Sequence, residues 1–179
     1  DPTRKQYHVR FTNIPVPATN IIGELHGGWK VLQAIALKAS AALSAEMVGV
    51  GETAMAMTVA YVKDRKQFDV VIGSFQAVKH HAANMLIAME YSRSLMEWAA
   101  ECIKENDPDT EMAVAMAKSY CGDAVKLVTD LSLQLHGGIG FTWDHDMHIY
   151  LKRGKFNDTA FGDSNYQKEL IARKLETNM

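Results

Sequence analysis

A hydrophobic period of three and four residues, which continues from Trp29 to about Arg65, is the feature that most constrains the fold of this chain. This spacing places apolar side chains on one face of an α-helix. Gly49 and Gly51 lie inside the stripe, and each weakens a helix by about 1 kcal/mol relative to alanine. We therefore predict one long helix, in which both glycines allow a neighbouring helix to approach closely.

Further stripes of the same period follow the first. A stop signal at Asn106-Asp107-Pro108 separates two of them, and Asp109 or Thr110 is available to cap the next helix. The predicted later helices cover roughly 71–103, 112–135, 144–152 and 165–175. Three long antiparallel helices and a shorter fourth, joined by tight loops, predict an all-α fold, an up-down four-helix bundle.

The segment before the bundle has a different pattern. Residues 7–11, Tyr-His-Val-Arg-Phe, alternate apolar and polar side chains, which predicts a half-buried strand. Pro15 and Pro17 then end it. Because a lone strand forms no stable sheet, it would pair with a segment outside this chain or lie alone against the helices. We assign residues 1–28 to this short β remnant and a linker, and residues 29–179 to the helical bundle.

Composition excludes several classes of protein. The net charge is −2 and the pI is about 6.4, whereas a nucleic-acid-binding domain is strongly basic. No apolar stretch approaches the roughly 20 residues that a membrane span needs, so no membrane-spanning segment is expected. Cys102 and Cys121 are too few for a disulfide framework and are expected to be buried thiols in a reducing compartment. His145 and His148 alone do not make a metal site, and none is predicted.

Two motifs point to chemistry. The first, Tyr61–Phe68, places several basic residues at the end of the first helix, although the helix dipole alone could explain them. The second, Gln134–Thr142, contains three glycines within four residues. Such bare backbone serves either close packing or the approach of amide groups to an anion. The spacing alone leaves both explanations open.

Taken together, these stretches strongly resemble the acyl-CoA dehydrogenases. The resemblance is carried, in order, by 9–17 and Gly27-Gly28-Trp29, by Asp64–Phe68 with Phe75-Gln76, by Gln134–Thr142, and by Phe161-Gly162-Asp163 with the last helix. It covers essentially the whole chain. It implies that residues 1–28 are the end of the family's middle β-domain and that the rest is its C-terminal helical bundle.

The resemblance implies an FAD site shared between subunits. Arg65 would contact the FAD pyrophosphate of a neighbouring subunit, because a guanidinium donates in a planar fork to phosphate oxygens. Phe68 would pack near the cofactor, and Gln76 would hydrogen-bond to it. The remaining expected contacts are Gln134, Leu135, His136, Gly137 and Gly138, with Asp163 and Asn165. A carboxylate beside a pyrophosphate is unfavourable unless it is compensated.

The catalytic base that the family uses is not found. The family dehydrogenates an acyl-CoA thioester between its α and β carbons, and in many members a glutamate immediately before the glycine at position 162 removes the α-proton. Phe161 stands there, and phenylalanine cannot accept a proton. Other members place the glutamate on the first long helix, near Ala39, where no base lies. Glu46 or Asp163 could be a displaced base, or the base could belong to another subunit.

The resemblance also implies partners: the acyl-CoA substrate, an electron-transfer flavoprotein, and a dimer or tetramer, formed either by this chain alone or with a different subunit. The chain would lie in the bacterial cytoplasm, or in the mitochondrial matrix if the source is eukaryotic. Two alternatives stay open at this point. One is a helical scaffold module without flavin, and the other is a flavoenzyme of the same fold with different chemistry.

Overall fold

A computed structural model of the chain describes residues 1–177, so the last two residues of the predicted bundle lie outside the described part. Five α-helices and a two-stranded hairpin are found there: α1 Gly28–Asp64, β1 Lys66–Gln67, β2 Val70–Val71, α2 Gln76–Glu105, α3 Thr110–His136, α4 Met147–Thr159 and α5 Ser164–Thr177. Short 3-10 helices cover Ala18–Asn20, Ile72–Ser74 and Gly137–Phe141. The predicted all-α class, a helical bundle, is confirmed.

The helix α3 is the centre of the bundle, since it packs against α1, α2, α4 and α5. Its buried face is built largely from small residues, which lets the neighbouring helices come close. The main core cluster joins three helices through the buried side chains of Met47, Val48, Val50, Met85, Ala88, Met89, Cys121, Ala124, Val125 and Val128. A second cluster lies where α2 turns into α3: Ala99, Cys102, Ala113, Val114 and Ala117.

One of the two glycines in α1 has the predicted role. A Cβ at Gly51 would collide with the side chain of Met89, so the absence of a side chain lets α2 pack against α1. A Cβ at Gly49 would meet nothing within 4 Å in the described residues. The prediction of close packing is therefore confirmed for Gly51 and wrong for Gly49.

The predicted N-terminal strand is not formed. Residues 7–11 belong to no strand, and their aromatic side chains are open to solvent: Tyr7 is 78% and Phe11 is 77% exposed. The reason is physical, because a strand needs a hydrogen-bonded neighbour and none of the described residues provides one. The sheet that does form, β1 paired antiparallel with β2, was not predicted. The helix expected at 144–152 begins later, at Met147, and continues to Thr159.

By length and composition alone, α1 could cross a membrane, since one 18-residue window has a mean hydropathy of 1.4. The expectation that no segment reaches this threshold was therefore too strong. The packing of α1 gives another reason for its apolar composition, because it contacts α2, α3 and α4. It also buries polar side chains, Ser44 and Thr58, which donate to carbonyl groups one turn earlier.

Candidate functional site

The two predicted motifs lie at the same end of the bundle. The ring of Tyr61, in the last turn of α1, stacks on the imidazole of His136 with ring centroids 4.5 Å apart. Tyr61 also accepts the backbone hydrogen bond of Arg65 at 2.8 Å, and His136 directly precedes Gly137. The basic end of α1 and the glycine-rich end of α3 are thus fixed side by side within one chain.

Arg65 directly follows the last residue of α1. Its side chain is exposed and forms no ion pair with any residue of 1–177. Its carbonyl oxygen accepts a hydrogen bond from Ile72 at 2.8 Å, which anchors the hairpin that follows. The guanidinium is therefore available to an anion outside this chain.

The hairpin between β1 and β2 exposes an aromatic ring at its tip. Phe68 and Asp69 form its two-residue loop, with φ values of 54° and 63°, as a type I′ turn requires. A bulky residue rarely adopts this conformation, so Phe68 is a backbone outlier. Phe68 is 87% exposed and touches Phe75 edge-on at 6.3 Å. Gln76, the first residue of α2, is exposed beside them.

The glycines after α3 divide into two kinds. A Cβ at Gly137 or Gly138 would meet nothing within 4 Å, whereas one at Gly140 would press on Leu133 and His136. Gly137 has φ of 62° and directly follows the helix. This positive φ explains why a glycine stands at position 137. Gly138 has neither reason among residues 1–177. Its missing side chain leaves the backbone open to a ligand or a partner chain.

His136 is buried in an aromatic stack. Its imidazole lies between Tyr61 and His145, each with a ring centroid 4.5 Å away. Its Nδ1 donates to the carbonyl of Ser132 at 2.7 Å, while Nε2 has no partner among residues 1–177. Burial lowers the pKa of His136, and the hydrogen bond to Ser132 partly opposes that effect. The neighbouring predicted residues differ: Gln134 is exposed and Leu135 is half-buried.

A second group of predicted residues lies in the turn between α4 and α5. Phe161 and Gly162 both have left-handed backbones, with φ of 57° and 94°. Asp163 is the residue before α5, and its Oδ1 accepts the amide of Tyr166 at 2.8 Å. This carboxylate already caps the helix, and it satisfies one amide that could otherwise bind a phosphate. Asn165 is exposed in the first turn of α5.

Phe161 lines an open groove of about 980 Å³ between α1, α3 and α5. Its other walls include Trp29, Leu32, Ile35, Ser40, Met112, Tyr166 and Leu170. The carboxylate on the groove wall among residues 1–177 belongs to Glu111, and Lys174 holds it at 3.3 Å. The groove is thus mostly apolar where Phe161 borders it.

Glu46, the other candidate base, is not a wall of this groove. Its carboxylate accepts hydrogen bonds from Arg4 and from Arg153, the latter at 2.7 Å. Although partial burial acts in the opposite direction, these two guanidinium groups lower the pKa of Glu46. A carboxylate bound in this way is a poor proton acceptor.

The predicted residues therefore form two separate groups in one chain. Lys118 touches Gly162, and His136 lies 18 residues further along α3, which corresponds to about 27 Å of helix. The sequence did not draw attention to Lys118 or Gln167, whose side chains bind the turn carbonyls. The sequence feature that could have indicated this role is the presence of a lysine, Lys118, within the third apolar stripe.

The family model described as "Acyl-CoA dehydrogenase, C-terminal domain" matches residues 26–176. The chain belongs to the acyl-CoA dehydrogenase family. The family comprises oxidoreductases. A relative from Mycobacterium bovis, described as a probable acyl-CoA dehydrogenase fadE25, is 32% identical over 97% of this chain and 44% of its own length. The chain thus spans less than half of this acyl-CoA dehydrogenase relative.

Solved structures of similar proteins agree with this family assignment. Butyryl-CoA dehydrogenase from Megasphaera elsdenii has a TM-score of 0.87 and 28% identity, over 92% of this chain and 43% of that one. The ChsE4-ChsE5 complex from Mycobacterium tuberculosis has a TM-score of 0.79 and 31% identity, over 82% of this chain and 40% of that one. A structure described as PigA with FAD and proline has a TM-score of 0.88 and 27% identity, over 94% of this chain and 44% of that one. The matched parts of these chains share the bundle described above.

Proposed function

We propose that this chain is part of an FAD-dependent acyl-CoA dehydrogenase, in which it supplies flavin contacts and a wall of the acyl-CoA site but not the catalytic base. The reaction would be α,β-dehydrogenation of an acyl-CoA thioester. The membership of the family supports the reaction class. The chemistry of the two groups of residues supports the particular role.

The residues at the end of α1 and α3 fit a dinucleotide. Arg65 is an exposed guanidinium without an ion pair in residues 1–177, and a diphosphate is the anion that its planar fork matches best. Gly138 leaves backbone uncovered beside it, and Phe68 offers a ring that is free to pack on a flat group. The similar bundle of PigA was solved with FAD, which supports the same cofactor here.

A shared cofactor explains the distance between the two groups. The turn before Asp163 is bound by Lys118, which lies about 27 Å along α3 from His136 beside the end of α1. FAD that meets both groups would therefore be easiest to bind between two chains. Exposed apolar residues on the outer face of α2 and α3 offer a surface for such an assembly: Ile87, Tyr91, Trp98, Tyr120 and Leu127. We therefore propose a dimer or tetramer. The ChsE4-ChsE5 complex is a relative with two different subunits, which supports a mixed assembly.

The missing base is the observation that carries the role of this chain. Phe161 occupies the position of the expected glutamate and borders the groove. Glu111 is held by Lys174, and Glu46 is held by two arginines. Asp163, the other candidate base, does not line the groove, and its carboxylate accepts the amide of Tyr166. Each of these three carboxylates thus already has a partner among residues 1–177. The base would therefore come from outside residues 1–177, and the assembly with a different subunit is the arrangement we favour.

In this proposal, bound FAD supplies the acceptor for the β-hydride. The residues of this chain position the reactants: Arg65 and Gly138 would bind the diphosphate, and the apolar walls near Phe161 would exclude water from the acyl carbons. Electrons would then pass to an electron-transfer flavoprotein. We propose the bacterial cytoplasm as the location, or the mitochondrial matrix for a eukaryotic source.

The decisive experiment compares the intact protein alone with the intact protein plus candidate partner subunits, in an assay of acyl-CoA-dependent dye reduction. We expect flavin to be retained, with turnover only in the mixed assembly. Robust turnover by this protein alone would contradict the incomplete site. A colourless intact protein and a colourless mixed assembly would favour the scaffold alternative. A relative described as acryloyl-CoA reductase (NADH), 30% identical over 92% of the chain, makes NADH-dependent reduction of an enoyl-CoA the reaction to assay beside it.

A further inference from the structure

The helix α3 carries a lysine that is completely buried. Lys118 is 0% exposed, and its ammonium group donates to the carbonyl oxygen of Asp158 at 2.7 Å and to that of Gly162 at 3.1 Å. Burial lowers the pKa of Lys118, while the negative charges of Asp158 and Asp163 oppose that effect. A buried ammonium is strongly disfavoured unless acceptors compensate it, so these two carbonyl groups explain how the lysine is tolerated.

The two carbonyl groups stand on either side of Phe161. Gln167, itself 4% exposed, donates from Nε2 to the carbonyl of Phe161 at 3.2 Å and lies 3.4 Å from that of Gly162. Two buried side chains thus hold the only stretch between α4 and α5 where consecutive residues have positive φ. A non-glycine residue in this conformation persists only where its surroundings fix it.

The carboxylate of Asp158 holds the other side of the same turn. Its Oδ1 accepts from the hydroxyl of Ser164 at 2.6 Å, and its Oδ2 accepts from Lys126 at 3.0 Å. A Cβ at Gly122 would collide with this carboxylate, so glycine is required there. The end of α4, the turn and the start of α5 are therefore joined to α3 through one polar cluster.

We propose that Lys118 is a positioning residue, whose ammonium group fixes the left-handed turn at Phe161 and Gly162 and thereby places Asp163 and Asn165 toward the flavin. The inference rests on the proposed function for its flavin part alone. A role in packing only would be served at least as well by an apolar side chain of similar volume, since such replacements of buried charges are often neutral or stabilising. The directed bonds to two main-chain oxygens point instead to control of backbone geometry.

The test uses Lys118→Met in the intact protein, with Lys126→Met as the matched control. Both remove a lysine of α3 near Asp158, but Lys126 binds the carboxylate and not the turn carbonyls. Hydrogen–deuterium exchange of the amides of residues 159–164 should rise about tenfold or more in Lys118→Met, the change expected for loss of a charged hydrogen bond. The control should raise it much less, and exchange in α2 should not change in either variant.

The FAD dissociation constant is the second measurement, with FAD itself as the probe. We expect about tenfold weaker binding in Lys118→Met than in the control, the scale of one lost hydrogen bond. Unchanged exchange at 159–164, or an even rise across α3, α4 and α5, would overturn the positioning role. If the wild-type protein binds no FAD, the proposed function fails, whereas the exchange comparison still decides the role of Lys118. Should Lys118→Met not fold, Gln167→Leu replaces it with the same expected local effect.

Discussion

The ring of Tyr61 stacks on the imidazole of His136 with a centroid distance of 4.5 Å and an interplanar angle of 23°. This contact joins the last turn of α1 to the last residue of α3. It fixes the spacing between the guanidinium-bearing residue Arg65, one turn after Tyr61, and the open backbone that begins at Gly137. Although Tyr61 and His136 are 75 positions apart in sequence, their two motifs thus act as one surface.

Gly138→Ala should separate ligand binding from stability. Because a Cβ at Gly138 would meet nothing within 4 Å, the free energy of unfolding should stay within about 0.5 kcal/mol of wild type. The FAD content of the purified intact protein should nevertheless fall. Gly140→Ala is the matched control: its Cβ would press on Leu133 and His136, so it should destabilise by about 1–3 kcal/mol. Equal flavin content in wild type and Gly138→Ala would argue against the proposed diphosphate contact.

Arg65→Ala should weaken retention of FAD without lowering the melting temperature. Arg65 is exposed and has no ion pair within residues 1–177, so its loss removes no contact that stabilises the fold. A charged hydrogen bond to phosphate contributes about 1.5–3 kcal/mol, equivalent to at least a tenfold change in the dissociation constant. Lys63→Ala, a neighbouring exposed cation in the same helix turn, is the control. Matching losses in both variants would indicate only a general effect of positive charge.

Phe161→Glu should add acyl-CoA-dependent dye reduction to an otherwise inactive homomer. The side chain is 53% exposed and borders the groove, so a carboxylate there stays accessible, and stability should change by less than about 1 kcal/mol. A general base contributes about 10²–10⁴-fold. Phe161→Gln has the same size without a base and should remain inactive. Equal rates in the two variants would exclude proton abstraction from this position.

Acid should destabilise the protein through His136. An unfolded histidine ionises near pH 6.5, and burial lowers the pKa of His136 in the folded state. Between these two pKa values the unfolded chain binds more protons than the folded one. The contribution of His136 to the free energy of unfolding is therefore complete above about pH 6.5 and is lost as the pH drops toward the folded pKa. His136→Phe keeps a ring against Tyr61 but cannot ionise. Denaturant unfolding from about pH 7 to about pH 5 should show a smaller loss of stability in the variant, and equal slopes would contradict this assignment.

Leu127→Glu should reduce self-association if the α2–α3 face is an interface. Leu127 is 46% exposed, so a carboxylate there is solvated in the monomer but would be buried in an assembly, where an unpaired charge is costly. Light scattering at micromolar concentration should show a smaller species than the wild type. Leu175→Glu, 54% exposed on α5, is the control away from that face. A stable wild-type monomer would contradict the proposed assembly.

The long helices were predictable because each repeats its apolar residues over many turns. The bounds of α1 and α3, Gly28–Asp64 and Thr110–His136, follow the periodic stripes within a few residues, since Gly137 and the Asp109–Thr110 signal mark real ends. The strand expected at 7–11 failed because alternation predicts a strand only where a neighbouring strand exists. Tertiary context, which the sequence of one segment does not contain, decided that outcome.

The hairpin and the polar cluster could not be predicted from the sequence. The two loop residues of the hairpin, Phe68 and Asp69, are not the glycine or asparagine that usually mark a tight hairpin, so the short sheet was not predicted. Lys118 lies in an apolar stripe, where its acceptors come from residues 40 and 44 positions later. No local pattern could indicate that pairing. The roles of the individual flavin contacts stay predictions.

The donors that hold the turn after α4 bind main-chain oxygens of Asp158, Phe161 and Gly162, so none of these hydrogen bonds uses the side chain at position 161. A gene duplication followed by a change in that one codon would leave the scaffold and its assembly intact while removing the chemistry from one copy. Paired paralogues, one reactive and one inert, are the evolutionary outcome that such side-chain-independent geometry permits.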